Sequence, residues 1–158
     1  FRLVKGWQVA EAEQPEANTI AVRWFEAKLR QASLEIDDLF SKYRISEALM
    51  TVYKLFWDEF SSWYLEMVKP AYGQPIDKKT YDATLGFFEN LLKMLHPFMP
   101  FITEELWQHI YDRKDGESIM RVKLEIPAPT ADDLKLVEDI ENVKQIVAGV
   151  RILPTRTA

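Results

Sequence analysis

The two histidines are the residues best suited to acid–base or metal chemistry in this 158-residue chain. His96 precedes a proline and His109 lies well beyond it, a spacing that does not make a metal pair. Glu104 and Glu105 fall in the first turns of a predicted helix, where their charge favourably meets the helix dipole. The chain has no cysteine, which excludes thiolate zinc sites, cysteine nucleophiles and disulfides, and it has no glycine-rich phosphate loop. We therefore expect no catalysis, metal or cofactor in this chain by itself.

A second set of candidate residues is aromatic and basic, and its sequence leaves two interpretations open. Most of the rings are ordinary core residues in the first interpretation. In the second, one or two rings are exposed as platforms for unpaired bases, each stack being worth roughly 1–3 kcal/mol. Lys54 and Lys69 flank the cluster, and lysines beside aromatic rings suit single-stranded RNA loops, where phosphates need neutralising. The rings in question are Phe56, Trp57, Phe60, Trp63 and Tyr64.

Composition indicates one globular domain with a substantial core. The formal net charge is −5, which counts against a free nucleic-acid binder unless a basic patch is local. No apolar run is long enough to span a membrane. The chain starts with Phe1 rather than Met, and we expect it to be cut from a longer protein.

Apolar residues at helical spacing predict two long helices in the first half of the chain. The first carries Phe25, Leu29, Ala32, Ile36 and Leu39 on one face. Ser46 is the predicted cap of the second helix, which ends before Pro70 because a residue preceding proline avoids the α region. Its predicted buried face is formed by Leu49, Tyr53, Phe56, Phe60, Trp63 and Met67.

Three further helices are predicted in the second half. Asp77 caps the third, and Pro100 suits the first turn of the fourth. Alternation of apolar and charged residues over 120–126 is the one strand-like run. Thr130 with Asp133 resembles a capping box for the last helix, whose apolar residues are Val137, Ile140, Val143, Val147 and Val150. The predicted fold is all-α: an antiparallel bundle of about five helices over 1–151 with one short extended segment, followed by a tail over 152–158.

Two segments carry a resemblance to a known family. One runs from Phe-Trp-Asp-Glu-Phe at 56–60 through Trp-Tyr-Leu-Glu-Met-Val-Lys-Pro at 63–70, and the other is Leu-His-Pro-Phe-Met-Pro-Phe-Ile-Thr-Glu-Glu-Leu-Trp at 95–107. Together they resemble the helical anticodon-binding domain of class Ia aminoacyl-tRNA synthetases. The isoleucine and leucine branches share the second pattern, whereas the first is closer to the valine branch.

The resemblance implies a module that binds the anticodon region of tRNA, with valine tRNA and the rest of the synthetase chain as partners. It also implies a cytoplasmic parent enzyme that uses ATP and magnesium, in a catalytic domain whose HIGH and KMSKS signatures are absent here. We expect this piece to be monomeric. The alternative is a helical scaffold for protein contacts without base recognition, or the equivalent isoleucine or leucine domain.

Within this interpretation we predict six RNA-contacting residues at one end of the bundle. They are chosen as basic, aromatic or flexible apolar side chains, not as positions matched to the family. A structural role remains open for each of them. The six are Lys54, Phe60, Arg113, Lys114, Met120 and Arg121.

Overall fold

Helices dominate the fold, as predicted. A computed structural model describes residues 2–152, so the predicted tail lies outside the described residues except for Ile152, which ends the last helix. Five long helical rods follow a short first helix. The α-helices are α1 (Arg2–Lys5), α2 (Glu16–Ser41), α3 (Ile45–Lys54), α4 (Leu65–Val68), α5 (Lys78–Leu95), α6 (Pro100–Ile110) and α7 (Ala131–Ile152).

Helix α2 lies at the centre and confirms its predicted buried face. It packs against α3, α4, α5 and α7. All five predicted apolar residues of α2 are buried, and Trp24 beside them is fully enclosed. The Phe25 ring centroid lies 4.9 Å from that of Phe87, 5.1 Å from Tyr64 and 5.3 Å from Phe60. An aromatic core therefore joins α2 to the following rod and to α5.

The second rod contains a π-helical segment, Leu55–Tyr64, between α3 and α4. The π-helix closes hydrogen bonds five residues apart instead of four, and the Leu65 N–H bonds accordingly to the Phe60 carbonyl. The predicted buried face is confirmed in part: Phe60 is buried and Phe56, Trp63 and Met67 pack against the core, whereas Leu49 and Tyr53 are exposed. The fully buried residues of this rod are Ala48, Val52, Leu55, Phe60, Tyr64 and Val68.

The predicted helix starts are right in three cases and wrong in one, and the second rod ends before Pro70 as predicted. The Asp77 carboxylate accepts the Thr80 N–H at 2.9 Å, and Pro100 occupies the first turn of α6. Thr130 and Asp133 form the reciprocal capping box, with distances of 2.8 and 3.2 Å. Ser46 is not a cap, because α3 already begins at Ile45 and no side chain caps it.

The strand-like run over 120–126 forms no strand in the described part of the chain. It begins inside a turn of 3₁₀ helix, Ile119–Arg121, and Val122 after it has extended backbone. Leu124 and Ile126 pack on the core as single side chains, which accounts for the alternation of apolar residues. The strands of residues 2–152 are β1 (Val9–Ala10) and β2 (Ile76–Asp77), a short parallel pair that the sequence did not signal.

Helix α7 is held on the bundle by ion pairs and by part of its predicted apolar face, since Val137 and Ile140 pack against the core. Val143 and Val150 are exposed, whereas Lys144 is buried. The Arg30 guanidinium lies 3.0 Å from the Asp133 carboxylate. The pKa of Asp133 is lowered, chiefly by the hydrogen bond from the Thr130 N–H. Burial acts to raise this pKa, and Arg30 acts to lower it further.

Lys144 closes the other end of the α2–α7 contact. Its ammonium nitrogen lies 2.6 Å from Glu59 Oε2. The same nitrogen is 5.4 Å from the Trp24 ring centroid and 5.2 Å from that of Trp63. A cation enclosed by two rings and a carboxylate is strongly held. Because Arg30 meets Asp133 while the earlier Trp24 meets the later Lys144, α7 runs antiparallel to α2.

Candidate nucleic-acid interface

The loop between α6 and α7 is anchored by Glu89 on α5. One Glu89 oxygen accepts hydrogen bonds from Trp107 Nε1 at 2.9 Å and from Arg113 at 3.0 Å. The Arg113 guanidinium carbon lies 3.5 Å from the Trp107 ring centroid. Arg113, one of the six predicted RNA-contacting residues, is therefore engaged in a cation–π contact and an ion pair with only 17% of its side chain exposed.

Glu104 on α6 fixes the far end of the same loop. Its carboxylate accepts the Ser118 hydroxyl at 2.7 Å and the Ile119 N–H at 3.2 Å, and the Gln108 amide at 2.7 Å. Burial acts to raise the pKa of Glu104, but these hydrogen bonds together outweigh it and lower the pKa. The sequence pattern placed Glu104 at the helix dipole and did not reveal this role.

Three of the predicted residues remain available on this anchored loop. Lys114, Met120 and Arg121 are exposed, Met120 to 77%. The side chains of Lys114 and Arg121 make no ion pair within residues 2–152. Gly116 has a φ of 86°, a left-handed conformation that favours glycine. We call Lys114, Met120 and Arg121 the loop surface.

A second exposed surface lies on α3 and the first turn of the π segment. Lys54 is exposed and has no ion pair among the described residues. Beside it, Tyr53 is 53% and Trp57 59% exposed, and their rings are parallel within 9° at a centroid distance of 6.5 Å. We call Met50, Tyr53, Lys54 and Trp57 the α3 surface. The sequence left open whether one or two rings of the aromatic run are exposed, and the structure exposes Trp57 of that run.

Phe60 has to be corrected from a base-stacking candidate to a core residue. It is 3% exposed, and its ring lies 5.5 Å from Tyr64 and 6.4 Å from Phe88, stacked on both. No face of this ring is free for a base. RNA contact by Lys54 and the loop surface stays a prediction.

The two histidines have hydrogen-bond partners within the bundle. His96 Nδ1 lies 2.7 Å from the Thr103 hydroxyl, and His109 Nδ1 lies 2.7 Å from the Glu105 carbonyl oxygen. In the described part of the chain, no three histidine or carboxylate groups come together to hold a metal ion. Within the same range, no helix is long and apolar enough to cross a membrane.

The profile of the family described as "Anticodon-binding domain of tRNA ligase" matches residues 22–156. The chain is 66% identical to the valine–tRNA ligase of Phocaeicola vulgatus over 97% of its length, which is 17% of that protein. It is 62% identical to the Parabacteroides distasonis valine–tRNA ligase, again over 97% of this chain and 17% of the relative.

The likeness extends to distant bacteria. The Mycobacterium tuberculosis valine–tRNA ligase is 32% identical over 96% of this chain and 17% of its own length. The chain thus spans about one sixth of the length of these curated relatives. Because the profile covers most of the bundle, this chain belongs to the family of anticodon-binding domains of tRNA ligases.

Proposed function

We propose that this chain is the part of a valine–tRNA ligase that binds and positions the anticodon region of its tRNA. The family profile over residues 22–156 is the observation that carries the proposal. The valine assignment is supported by relatives that are 66% and 62% identical over nearly the whole chain.

The exposed groups suit an unpaired RNA loop. Sequence-specific RNA binding targets splayed bases, which stack on aromatic side chains while cations meet the phosphates. The α3 surface and the loop surface supply both kinds of group, even though the chain as a whole carries a net charge of −5. Local, unpaired cations on an acidic domain give a contact that is modest in strength and confined in place.

The activity of the parent enzyme follows only by proposal. Valine activation with ATP and magnesium would take place in other parts of that enzyme, in the cytoplasm. The described residues of this chain offer no group of carboxylates or histidines that suits a metal ion. This chain would contribute binding and orientation of tRNA, and we propose that it is monomeric by itself.

A scaffold role is the second candidate, and one surface favours it. Tyr43, just after α2, is 89% exposed, and Phe101, in the first turn of α6, is 90% exposed. The Phe40 and Phe98 rings stack 5.9 Å apart and join these two regions. Met99, immediately before α6, is 49% exposed. We call Tyr43, Met99 and Phe101 the bundle-end patch. Exposed apolar side chains of this kind are typical of contacts with protein.

Binding of tRNA by the full-length enzyme tests the proposal. Wild type should bind a valine tRNA anticodon stem–loop more tightly than an unrelated one, with affinity falling as salt rises. The Lys54→Glu variant should bind several-fold more weakly, with the salt slope reduced by about one. Lys135→Glu on the exposed face of α7 is the matched control and should bind like wild type.

Two results would count against the proposal. Equal affinity for valine and unrelated stem–loops would remove the valine assignment. Unchanged binding in Lys54→Glu, together with unchanged aminoacylation of valine tRNA, would favour the scaffold role.

A further inference from the structure

The turn between α2 and α3 holds an aromatic residue in a backbone conformation that favours glycine. Tyr43 has a φ of 57°. Its N–H bonds to the Phe40 carbonyl at 3.0 Å, and the Arg44 N–H bonds to the Leu39 carbonyl at 2.9 Å. These two bonds form the Schellman motif, in which the residue at the Tyr43 position is usually glycine. This helix end therefore needs a left-handed residue, and tyrosine adopts that conformation with backbone strain.

The packing of the bundle does not account for that tyrosine. Tyr43 is 89% exposed, and no hydrogen bond or ring contact joins its side chain to the other described residues. A strained backbone persists only where the surrounding structure enforces it, and such residues cluster at functional sites. The strain therefore indicates a role for the exposed ring outside the packing of this bundle.

A second ring is exposed beside it at the start of α6. Phe101 follows Pro100 in the first turn of that helix and is 90% exposed. The two turns lie together, because the Phe40 and Phe98 rings stack with centroids 5.9 Å apart. The apolar residues that flank the two rings and are about half exposed are Ile45, Met99 and Ile102.

The charges around the bundle-end patch are neutralised in pairs. The Lys42 ammonium nitrogen lies 2.6 Å from the Asp38 carboxylate, and Arg44 Nε donates to Glu47 at 2.6 Å. A phosphate would therefore find no free cation among these residues, whereas phosphate contacts need one. Exposed aromatic and methionine side chains without unpaired charge are typical of the centre of a protein–protein contact. The patch thus suits an apolar protein surface.

The small size of the patch argues against a second copy of the chain as the partner. The bundle-end patch and its two flanking isoleucines are five residues, whereas a stable dimer interface takes about 20–30 residues a side. A contact within one polypeptide needs less area, because the linked surface is present at a high effective concentration. The chain spans 17% of the length of its valine–tRNA ligase relatives, so most of the proposed ligase lies outside it.

Resting on the proposed function, we infer that the bundle-end patch docks this bundle on another part of the same ligase chain. Tyr43 and Phe101 are the anchors of the contact and insert into the apolar surface opposite. Met99 is covered by that surface. The contact fixes the orientation of the bundle, and with it the orientation of a tRNA that the bundle holds.

Methionine oxidation in the full-length ligase without tRNA tests the inference, because peroxide converts a thioether to a sulfoxide only where it can reach the sulfur. Met99 is 49% and Met120, on the loop surface, 77% exposed, so the two should oxidise at similar rates if the patch is open. If the patch is docked, Met99 should react at least about tenfold more slowly than Met120, since a minor open state is populated about a tenth of the time or less.

Two substitutions test the anchors. Tyr43→Gly supplies the residue that the Schellman position prefers, so a tyrosine with only a local structural role would be replaced without loss. Combined with Phe101→Ser, it should instead raise the oxidation rate of Met99 to near that of Met120. Tyr72→Ser removes a fully exposed ring from the loop between α4 and β2. It is the matched control and should leave Met99 protected.

Three results would overturn the inference. The first is a similar oxidation rate for Met99 and Met120 in wild type. The second is protection of Met99 that appears only as the enzyme concentration rises, because a separate molecule would then cover the patch. The third is continued protection of Met99 in the double variant. The measurement contains no RNA, so failure of the enzyme to bind a valine tRNA stem–loop would contradict the proposed function and leave these rates unchanged.

Discussion

The α6–α7 loop and the α3 surface contain similar residue types that have opposite roles. Each has a tryptophan beside a basic residue. Trp107 is 1% exposed, with Arg113 over its ring and Glu89 on its indole nitrogen. Trp57 is 59% exposed, stacks only on Tyr53 among the described rings, and lies beside an unpaired Lys54.

The difference shows that residue type and local sequence alone do not indicate whether a cation–aromatic pair stabilises the fold or is available to bind a ligand. A committed pair contributes to folding and has little left for a ligand. An uncommitted pair contributes little to folding and keeps its binding groups free. The two regions should therefore respond differently when equivalent residues are changed.

The largest expected difference is between the two tryptophans. Trp107→Ala should lower the free energy of unfolding by about 4 kcal/mol, because it removes a buried ring and leaves a cavity. Trp57→Ala should change it by less than about 0.5 kcal/mol. Urea denaturation of both variants measures this. Similar losses in the two variants would show that Trp57 is also structural.

A smaller effect is expected at Glu89. Glu89→Gln removes the charge that Arg113 and Lys93 face, at 3.0 and 3.7 Å, and leaves a mostly enclosed guanidinium without its partner. The free energy of unfolding should fall by about 2 kcal/mol. The Glu138→Gln change on α7 should have no measurable effect. An equal effect of the two changes would mean that the Glu89 pair is not structural.

The smallest expected effect is at Glu104 and depends on pH. Its folded pKa is below the ordinary value of 4.5, so its contribution to stability is present above that pH and is lost as the pH falls through the folded pKa. Glu104→Gln should therefore be less stable than wild type by about 1 kcal/mol at neutral pH, with the difference shrinking as the pH falls below 4.5. A difference that is constant over this range would contradict the loop-anchor role.

Much of the fold could be predicted from local rules. The α2 face follows from regular helical spacing, and Asp77, Pro100 and the Thr130–Asp133 box are local signals that the structure confirms. The buried face of the second rod could be derived this way only in part. Leu55 and Phe60 both lie on that face and are five positions apart. A search for spacings of three and four finds Phe60 but misses Leu55 and includes the exposed Leu49 and Tyr53.

The candidate surfaces were only partly predictable for a related reason. Lys114, Met120 and Arg121 are exposed as expected, but whether Arg113 is free depends on Glu89, which is distant in sequence. Likewise, the use of Lys144 as a buried cation depends on Glu59 and Trp24 on other helices. Long-range charge pairing carries no periodic signal, so a basic residue can be identified from sequence while its availability cannot.

The π segment also affects how well this rod should tolerate the deletion of a residue. Over Leu55–Tyr64 the Ser61 and Ser62 hydroxyls bond to carbonyls five residues earlier, Phe56 at 3.0 Å and Trp57 at 2.9 Å. A π-helix fits more residues into each turn than an α-helix, so this rod contains more residues than an α-helix with the same number of turns would. Removing one residue there would let a turn tighten to α geometry instead of breaking the helix. Natural or engineered deletions in this rod should therefore be best tolerated within this segment.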